Sequence, residues 1–323
     1  MSTPVDGKAA EWAAQRERSN LWALHLMRWI AIGAGRPVAR WLLHPISLYF
    51  LLANGKARKS SMHYLSRALR RPARLRDAYR HIHRFASVVL DRIYFLQERF
   101  DQFDIQVTLG EHIHTVIDRR EGVMMVGAHL GSFEALRADA QTRGARVAML
   151  MYEDNARLIN ATLAAVAPEA TLHTIALGQA GAMLSLRRWL DEGGIAGLLA
   201  DRTLPGNSGR SRTLWLEFLG QPAPFSDGPF RLAAMLRRRV VFATGLYHGG
   251  NRYELRFVEL ADFQTLTTES RADTDRLVRD TMLRYVALLE SLCLDSPYNW
   301  FNFFDFWVSD ANPSRDQAPK ATH

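Results

Sequence analysis

The sequence predicts an α/β protein whose largely parallel sheet is flanked by helices. From about residue 101 onwards, short apolar runs of strand length alternate with longer segments whose apolar residues have helical spacing. This alternation is typical of parallel sheets, in which helices connect the strands and cover both faces. A chain of 323 residues, 48% of them hydrophobic, is long enough for one large core.

The expected elements follow the chain in order. Before residue 101 the pattern is helical, with one helix from the capping residues Ser60 or Ser61 to about Leu69, and a long helix over residues 75–100. The expected strands are 105–109, 123–126, 146–151, 172–176, 195–199, 214–218, 240–247 and 253–258. The expected later helices are 111–119, 155–167, 180–190, 229–237 and 273–292.

These patterns divide the chain into four parts. Residues 1–19 form a polar lead-in, and residues 20–100 a helical region that is both basic and apolar. Residues 101–308 form the α/β domain. Residues 309–323, which contain two prolines and no apolar run, are expected to be a disordered tail.

The helical region carries the positive charge of the chain. Residues 1–100 contain 18 Lys or Arg against 6 Asp or Glu, and they need an anionic partner or a solvated surface. Residues 21–52 are rich in Trp, Leu, Ile and Phe, but the longest uncharged stretch, residues 41–55, is shorter than the roughly 20 apolar residues of a spanning helix. We therefore expect a segment in the membrane interface. Ordinary core helices and a true span remain alternatives.

The cysteine and histidine residues of the chain argue against a disulfide and a metal site. Cys293 is the only cysteine, which excludes an internal disulfide and suits a reducing compartment. The first twenty residues lack the apolar segment of a secretory signal. The pairs His81-x-His83 and His112-x-His114 do not share a helix face, and no cluster of acids completes them, so we expect no metal.

The stretch that contains His129 has the features of a catalytic site. It follows the apolar run 123–126, and Glu134 stands five residues later. Histidine suits proton transfer near neutral pH, and a carboxylate on one ring nitrogen leaves the other free as a base. A helix that begins near Ser132 would place Glu134 in its first turn, facing the imidazole, and offer N–H groups to an oxyanion or phosphate. Gly131 would let a substrate approach the backbone closely.

No protein nucleophile stands out beside this pair. The chain has no Gly-x-Ser-x-Gly motif, and Cys293 lies in the C-terminal helical segment. A base without a nucleophile suggests that the substrate supplies one, so His129 would deprotonate a substrate hydroxyl that attacks an activated acyl group. On spacing alone, a structural role for His129 remains open.

Asp201 and Arg202 follow another predicted strand. In a parallel sheet they are expected at the same carboxyl edge as His129 and the end of the strand 240–247. Arg202 is a candidate contact for a phosphate or carboxylate of a substrate, with an ion pair to a loop acid as the alternative. Asp201 either supports catalysis or forms a turn.

Four sequence blocks, in order, carry a resemblance to a known family. They are His-Leu-Gly-Ser-Phe-Glu at 129–134, Leu-Leu-Ala-Asp-Arg at 198–202, Phe-Leu-Gly-Gln-Pro-Ala-Pro-Phe at 218–225 followed by Gly-Pro and Leu-Ala, and the aromatic run at 297–307. Together they resemble the lipid A lauroyl and myristoyl acyltransferase branch of the lysophospholipid acyltransferase superfamily of bacteria, over about residues 20–308.

The resemblance implies a glycerolipid acyltransferase-like fold on the cytoplasmic face of the bacterial inner membrane, held peripherally or monotopically. It implies transfer of an acyl group from an acyl carrier protein or coenzyme A thioester to a hydroxyl of a lipid or lipid-linked acceptor. His129 would be the base and Glu134 its partner, with no cofactor besides the thioester co-substrate. The expected substrate-binding residues are Gly131, Ser132, Tyr152, Asn155, Asp201 and Arg202.

Two blocks depart from the pattern of that branch. Its second block has Tyr-Arg-Pro and a downstream Asn, whereas here Tyr152 is followed by Glu153, Asp154 and Asn155. The C-terminal block ends in Phe-Asp-Phe-Trp in place of a basic run. Both changes remove positive charge, so we expect the acceptor to differ from lipid A. The altered forms resemble a variant subgroup associated with aryl polyene and xanthomonadin pigment synthesis.

Other functions remain as alternatives. A lipid-binding membrane protein without catalysis could use the same fold, and a thioesterase could use the same histidine with water as acceptor. A nucleic-acid partner is not expected, because the basic third of the chain is interrupted by continuous apolar runs. The acyl chain, the acceptor, the donor and the oligomeric state do not follow from the sequence.

Overall fold

A computed structural model of the protein describes Trp29 and residues 33–110, 112–152, 173–179, 181–202, 212–265 and 270–307. The described helices are α1 (Gly35–Ala53), α2 (Gly55–Ala68), α3 (Leu75–Leu96), α4 (His112–Asp118), α5 (Phe133–Thr142), α6 (Ala182–Asp191), α7 (Gly228–Leu236) and α8 (Arg271–Asp295). The described strands are β1 (Asp104–Leu109), β2 (Val123–Gly127), β3 (Val147–Tyr152), β4 (His173–Leu177), β5 (Ile195–Leu199), β6 (Thr213–Phe218), β7 (Gln221–Ser226), β8 (Arg239–Gly249) and β9 (Arg252–Asp262). The predicted lead-in, the helix 155–167 and the tail 309–323 lie outside the described residues.

Seven of these strands form one sheet in the order β1-β9-β8-β2-β5-β3-β4. The strand β2 lies between β5 and β8 and runs parallel to both, while β3 runs parallel to β5 and β4. The edge of the sheet formed by β8, β9 and β1 is mixed, since β9 is antiparallel to β8 and β1 is parallel to β9. The prediction of an α/β fold with a largely parallel sheet is therefore confirmed.

Helices pack on both faces of this sheet. Alternate residues of β2 point to opposite faces, so Met124 and Val123 belong to two different core clusters. Tyr64 of α2 packs in the first cluster and Leu43 of α1 in the second. The helical region that precedes the α/β domain in sequence therefore shares its core.

The hairpin β6–β7 forms a separate two-stranded sheet. The strand β6 is among the predicted strands and β7 is not. Pro222 and Pro224 of β7 lack the N–H groups that a central strand needs. In the structure these prolines lie opposite Glu217 and Trp215. A two-stranded ribbon tolerates them, since each strand is paired along one side only.

Two helix ends differ from the sequence-based expectation. The helix α2 begins at Gly55, well before Ser60, because the Asn54 side chain accepts a hydrogen bond from the Ala57 N–H at 3.1 Å and caps the helix there. The helix α3 ends at Leu96, and Glu98 just beyond it has a left-handed φ of 58°. The predicted extension to residue 100 was therefore too long.

The helix α1 has one anchored face and one exposed face. Arg36 binds Asp91 of α3 through two hydrogen bonds of 2.8 Å, which fixes α1 against the domain. On the other face Trp41 is 79% exposed and Tyr49 is 66% exposed. Within the described part of the chain, no helix combines the length and the hydropathy that crossing a bilayer requires.

Candidate active site

The segment 128–132 connects β2 to α5 at the carboxyl edge of the sheet. Asp201 comes just after β5, which neighbours β2 on one side, and Gly245 lies in β8, which neighbours it on the other. The Ser132 N–H donates to the Gly245 carbonyl at 2.8 Å, and the His129 N–H donates to Asp201 Oδ2 at 3.0 Å. The predicted meeting of His129, Asp201 and the end of β8 is thus confirmed.

Asp201 is the carboxylate that holds the His129 ring. Its Oδ1 lies 2.8 Å from His129 Nδ1, and its Oδ2 accepts the His129 backbone N–H and the Trp300 Nε1–H, the latter at 2.9 Å. The Asp201 side chain is 1% exposed, whereas that of His129 is 29% exposed. The carboxylate of this His–Asp pair is therefore buried, whereas the imidazole is partly exposed to solvent.

Electrostatics keep Asp201 ionised. Burial alone would raise the pKa of the Asp201 carboxyl, but the electrostatic interaction with His129 and the hydrogen bonds from His129 and Trp300 outweigh burial and hold this pKa below its ordinary value. An ionised carboxylate only accepts hydrogen bonds, so we assign the proton to His129 Nδ1. In the neutral ring Nε2 then carries a lone pair, as a general base requires.

Glu134 does not occupy the place that the sequence predicts for it. As expected, it lies in the first turn of α5, which Ser132 caps. Its Oε1 is 2.5 Å from Arg92 Nε of α3, and its Oε2 accepts the Ser132 hydroxyl at 3.3 Å. The Glu134 side chain is thus bound to Arg92 and Ser132, whereas Asp201 is the carboxylate that contacts the imidazole, so the expectation that Glu134 orients His129 is corrected.

Gly131 and Ser132 hold the His129 segment against its neighbouring backbone. Gly131 has φ of +72°, and a Cβ built on it would lie 2.1 Å from the Gly245 carbonyl oxygen. Its N–H donates to the Asn299 carbonyl at 2.9 Å, and the Ser132 side chain, 1% exposed, accepts from the Ala135 N–H. Close approach at Gly131 is therefore to strand β8 rather than to a substrate, and neither N–H of this pair is left for an oxyanion.

The other predicted substrate-binding residues are spread along the same edge. Arg202 is exposed, and its Nη2 lies 3.4 Å from the Phe301 carbonyl oxygen, with its Cζ 5.1 Å from the centre of the Phe304 ring. Tyr152 is the last residue of β3, the neighbour of β5. Asn155 lies outside the described residues.

The sequence identifies the aromatic run at 297–307 as one of the four blocks, but it does not predict that this segment contacts His129 and Asp201. Leu130 pairs with Trp300 in an antiparallel bridge, and the Phe301 N–H donates to the His129 carbonyl at 2.7 Å. Asn299 bonds both backbone groups of Tyr247 in β8. The available signal was weak: a buried Trp needs a partner for its N–H, but the chain contains 8 Trp.

A small cavity of about 20 Å³ lies beneath the His129 segment. Its lining is mostly apolar and includes Met125, Leu130, Phe133 and Leu198. This volume is of the order of one water molecule, so the cavity is too small to hold an acyl chain. Among the described residues, no group of three His, Cys, Asp or Glu side chains could hold a metal ion.

Comparison with models of known protein families and with curated protein sequences finds no match for this chain. The functional argument therefore rests on the geometry at His129 together with the resemblance of the four sequence blocks. Of the predicted site residues, the structure brings His129 and Asp201 into direct contact, places Gly131 and Ser132 beside them, and directs Glu134 elsewhere.

Proposed function

We propose that the protein is an acyltransferase that moves an acyl group from a thioester to a hydroxyl of a lipid or lipid-linked acceptor. The observation that carries this proposal is the hydrogen bond between His129 Nδ1 and the buried, ionised Asp201, with the His129 side chain itself 29% exposed. This arrangement is that of a general base oriented by a carboxylate. The resemblance of the four blocks supports the same reaction class.

The reaction that suits this site needs no nucleophile from the protein. His129 Nε2 takes the proton of the acceptor hydroxyl while its oxygen forms a bond to the thioester carbonyl carbon. The tetrahedral intermediate then collapses, the C–S bond breaks, and the leaving thiolate takes the proton back from the imidazolium. Cys293 is unsuited to a covalent route, because it is fully buried and burial raises the pKa of its thiol.

The exposed face of α1 supports a membrane location for the acceptor. Trp41, Tyr49 and Leu52 are each more than half exposed, and the exposed Lys56 and Lys59 follow at the start of α2. Aromatic and basic side chains together favour the interface of an anionic bilayer. Together with the resemblance of the four blocks and their departures from the lipid A branch, this face supports our proposal that the protein lies on the cytoplasmic face of the bacterial inner membrane, with an acceptor other than lipid A.

The test is acyl transfer from radiolabelled thioesters, with acyl carrier protein and coenzyme A as separate donors and a lipid extract as the source of acceptor. We expect wild-type protein to label a lipid and His129→Ala to abolish labelling while it melts at the wild-type temperature. Unchanged labelling by His129→Ala would contradict the proposal. Mass spectrometry of the labelled lipid then identifies the acceptor.

A thioesterase is the second candidate, because water could reach the same partly exposed imidazole. The two functions are separated by measuring thiol release with and without the lipid acceptor. An acyltransferase accelerates thiol release when the acceptor is added and forms labelled ester. A thioesterase releases thiol at one rate in both reactions and forms free fatty acid.

A further inference from the structure

Trp300 lies between the buried carboxylate and the helical region. Its side chain is 1% exposed, and its Nε1–H donates to Asp201 Oδ2 at 2.9 Å. The indole is enclosed by other aromatic rings at steep angles, with centroids 4.8 Å away at Tyr64, 5.0 Å at Phe306 and 5.3 Å at Phe218. These contacts leave the ring little rotational freedom, so its N–H has a fixed direction.

The backbone of Trp300 is fixed from the helical region as well. Its carbonyl oxygen lies 2.8 Å from His81 Nε2 in α3, and His81 Nδ1 lies 2.8 Å from the Ser61 hydroxyl of α2. A carbonyl only accepts, so Nε2 carries the proton and Nδ1 accepts from Ser61. Because His81 is fully buried, burial lowers its pKa to about 4, and the ring stays neutral at physiological pH.

This chain of hydrogen bonds begins at Ser61 and ends at the His129–Asp201 pair. Oδ2 of Asp201 accepts two donors, the His129 backbone N–H and the Trp300 indole N–H, while Oδ1 binds the imidazole. A carboxylate that is 1% exposed depends on such donors for its ionised state. If the indole N–H is removed, Asp201 becomes easier to protonate and its hydrogen bond to His129 Nδ1 weakens.

We propose that Trp300 is a positioning residue, which keeps Asp201 ionised and oriented towards His129 and is itself held by His81. The effect of Trp300 on turnover rests on the proposed acyl transfer. Its effect on the protonation and orientation of His129 does not depend on that reaction or on the substrate.

Trp300→Phe and Trp307→Phe form a matched pair of variants. Trp307 is also buried, at 6% exposed, but its Nε1–H donates to the Phe218 carbonyl at 3.2 Å and not to Asp201. Both variants lose one indole hydrogen bond in the same aromatic cluster. We expect Trp300→Phe to lower kcat by about 10- to 100-fold with little change in KM, and Trp307→Phe to stay within about twofold of wild type.

A second readout does not depend on turnover. In protein labelled with ¹⁵N at histidine, with the His129 signals identified by their loss in His129→Gln, we expect wild type to show the Nδ1–H tautomer. Trp300→Phe should shift this population towards the Nε2–H form, and Trp307→Phe should not. If Trp300→Phe fails to fold, 3-benzothienylalanine at position 300 replaces the N–H by sulfur with the same ring shape.

The outcomes separate the two proposals. A wild-type tautomer population and wild-type kcat in the folded Trp300 variant would overturn the positioning role. A shifted tautomer together with turnover that survives His129→Ala would support the positioning role and overturn the acyltransferase mechanism.

Discussion

Two aromatic segments of this protein have similar compositions and opposite environments. In α1, Trp41 is 79% exposed and Phe50 is 51% exposed, whereas Trp300 and Phe306 of the C-terminal segment are 1% and 4% exposed. The C-terminal segment touches both members of the His129 pair, and α1 presents its rings to the outside. Aromatic content alone therefore does not distinguish an exposed helix face from a buried cluster, and only the packing decides between them.

The largest difference between the two segments is expected in stability. Trp300→Ala removes a fully buried ring and should lower the free energy of unfolding by about 3–5 kcal/mol, while Trp41→Ala removes an exposed ring and should change it by about 0.5 kcal/mol or less. Denaturant titration of the two variants measures both values. Equal losses would show that α1 is packed as a core helix, and the contrast would disappear.

His81 of α3, which binds the Trp300 carbonyl of the buried segment, should make the stability of the protein depend on pH. Burial lowers the pKa of His81 from 6.5 to about 4. Between these values the unfolded chain binds a proton that the folded protein does not, so stability is complete above pH 6.5 and falls as the pH drops towards 4. This shift corresponds to about 3 kcal/mol. His81→Gln, which keeps a donor for the Trp300 carbonyl, should flatten the curve of unfolding free energy against pH over that range.

Half-buried His83 also has its pKa lowered to about 4, and it contributes to the same decline. The wild-type slope therefore has at least two sources, and His81→Gln should remove part of it. A slope unchanged by His81→Gln would mean that His81 is not buried and neutral as described. The wild-type protein at constant ionic strength is the reference for this comparison.

The smallest expected effect is on membrane binding. Replacing the exposed Trp41, Tyr49 and Phe50 by Ser should weaken binding to vesicles that contain anionic phospholipid by at least about tenfold, because these rings would no longer enter the interface. Leu184→Ser, at a position 63% exposed on α6, is the control for loss of an exposed apolar side chain. Vesicle flotation measures both, and equal binding of the triple variant and wild type would argue against the membrane contact of α1.

The sequence anticipates much of the fold for a physical reason. Strand and helix periods differ, so the parallel sheet could be read from spacing, and parallel strands bring His129 and Asp201 to one edge although 72 positions separate them. The strand order that makes β2 and β5 neighbours follows from long-range packing, which spacing does not report. The short distance along the chain therefore favours Glu134 as the partner of His129, whereas in the structure Glu134 binds Arg92 of α3.

The part of the site that escaped prediction depends on the most distant contacts. Trp300 reaches Asp201 across 99 positions, through an aromatic cluster that no local pattern defines. The strand β7 is not among the predicted strands, and its two prolines disfavour a strand everywhere except in a ribbon paired on one side. Sequence rules therefore predict elements whose conformation depends on neighbouring residues, and they do not predict contacts that depend on tertiary packing.

The central claim is that Asp201, and not Glu134, orients the catalytic base. Its most direct test is the single-turnover rate of acyl transfer in Asp201→Asn and Glu134→Gln, two variants that each replace one carboxylate by an amide of the same shape. The structure predicts a loss of about a thousandfold for Asp201→Asn, since the amide no longer holds the Nδ1–H tautomer, and a loss within about tenfold for Glu134→Gln. A larger loss in Glu134→Gln than in Asp201→Asn would contradict the claim.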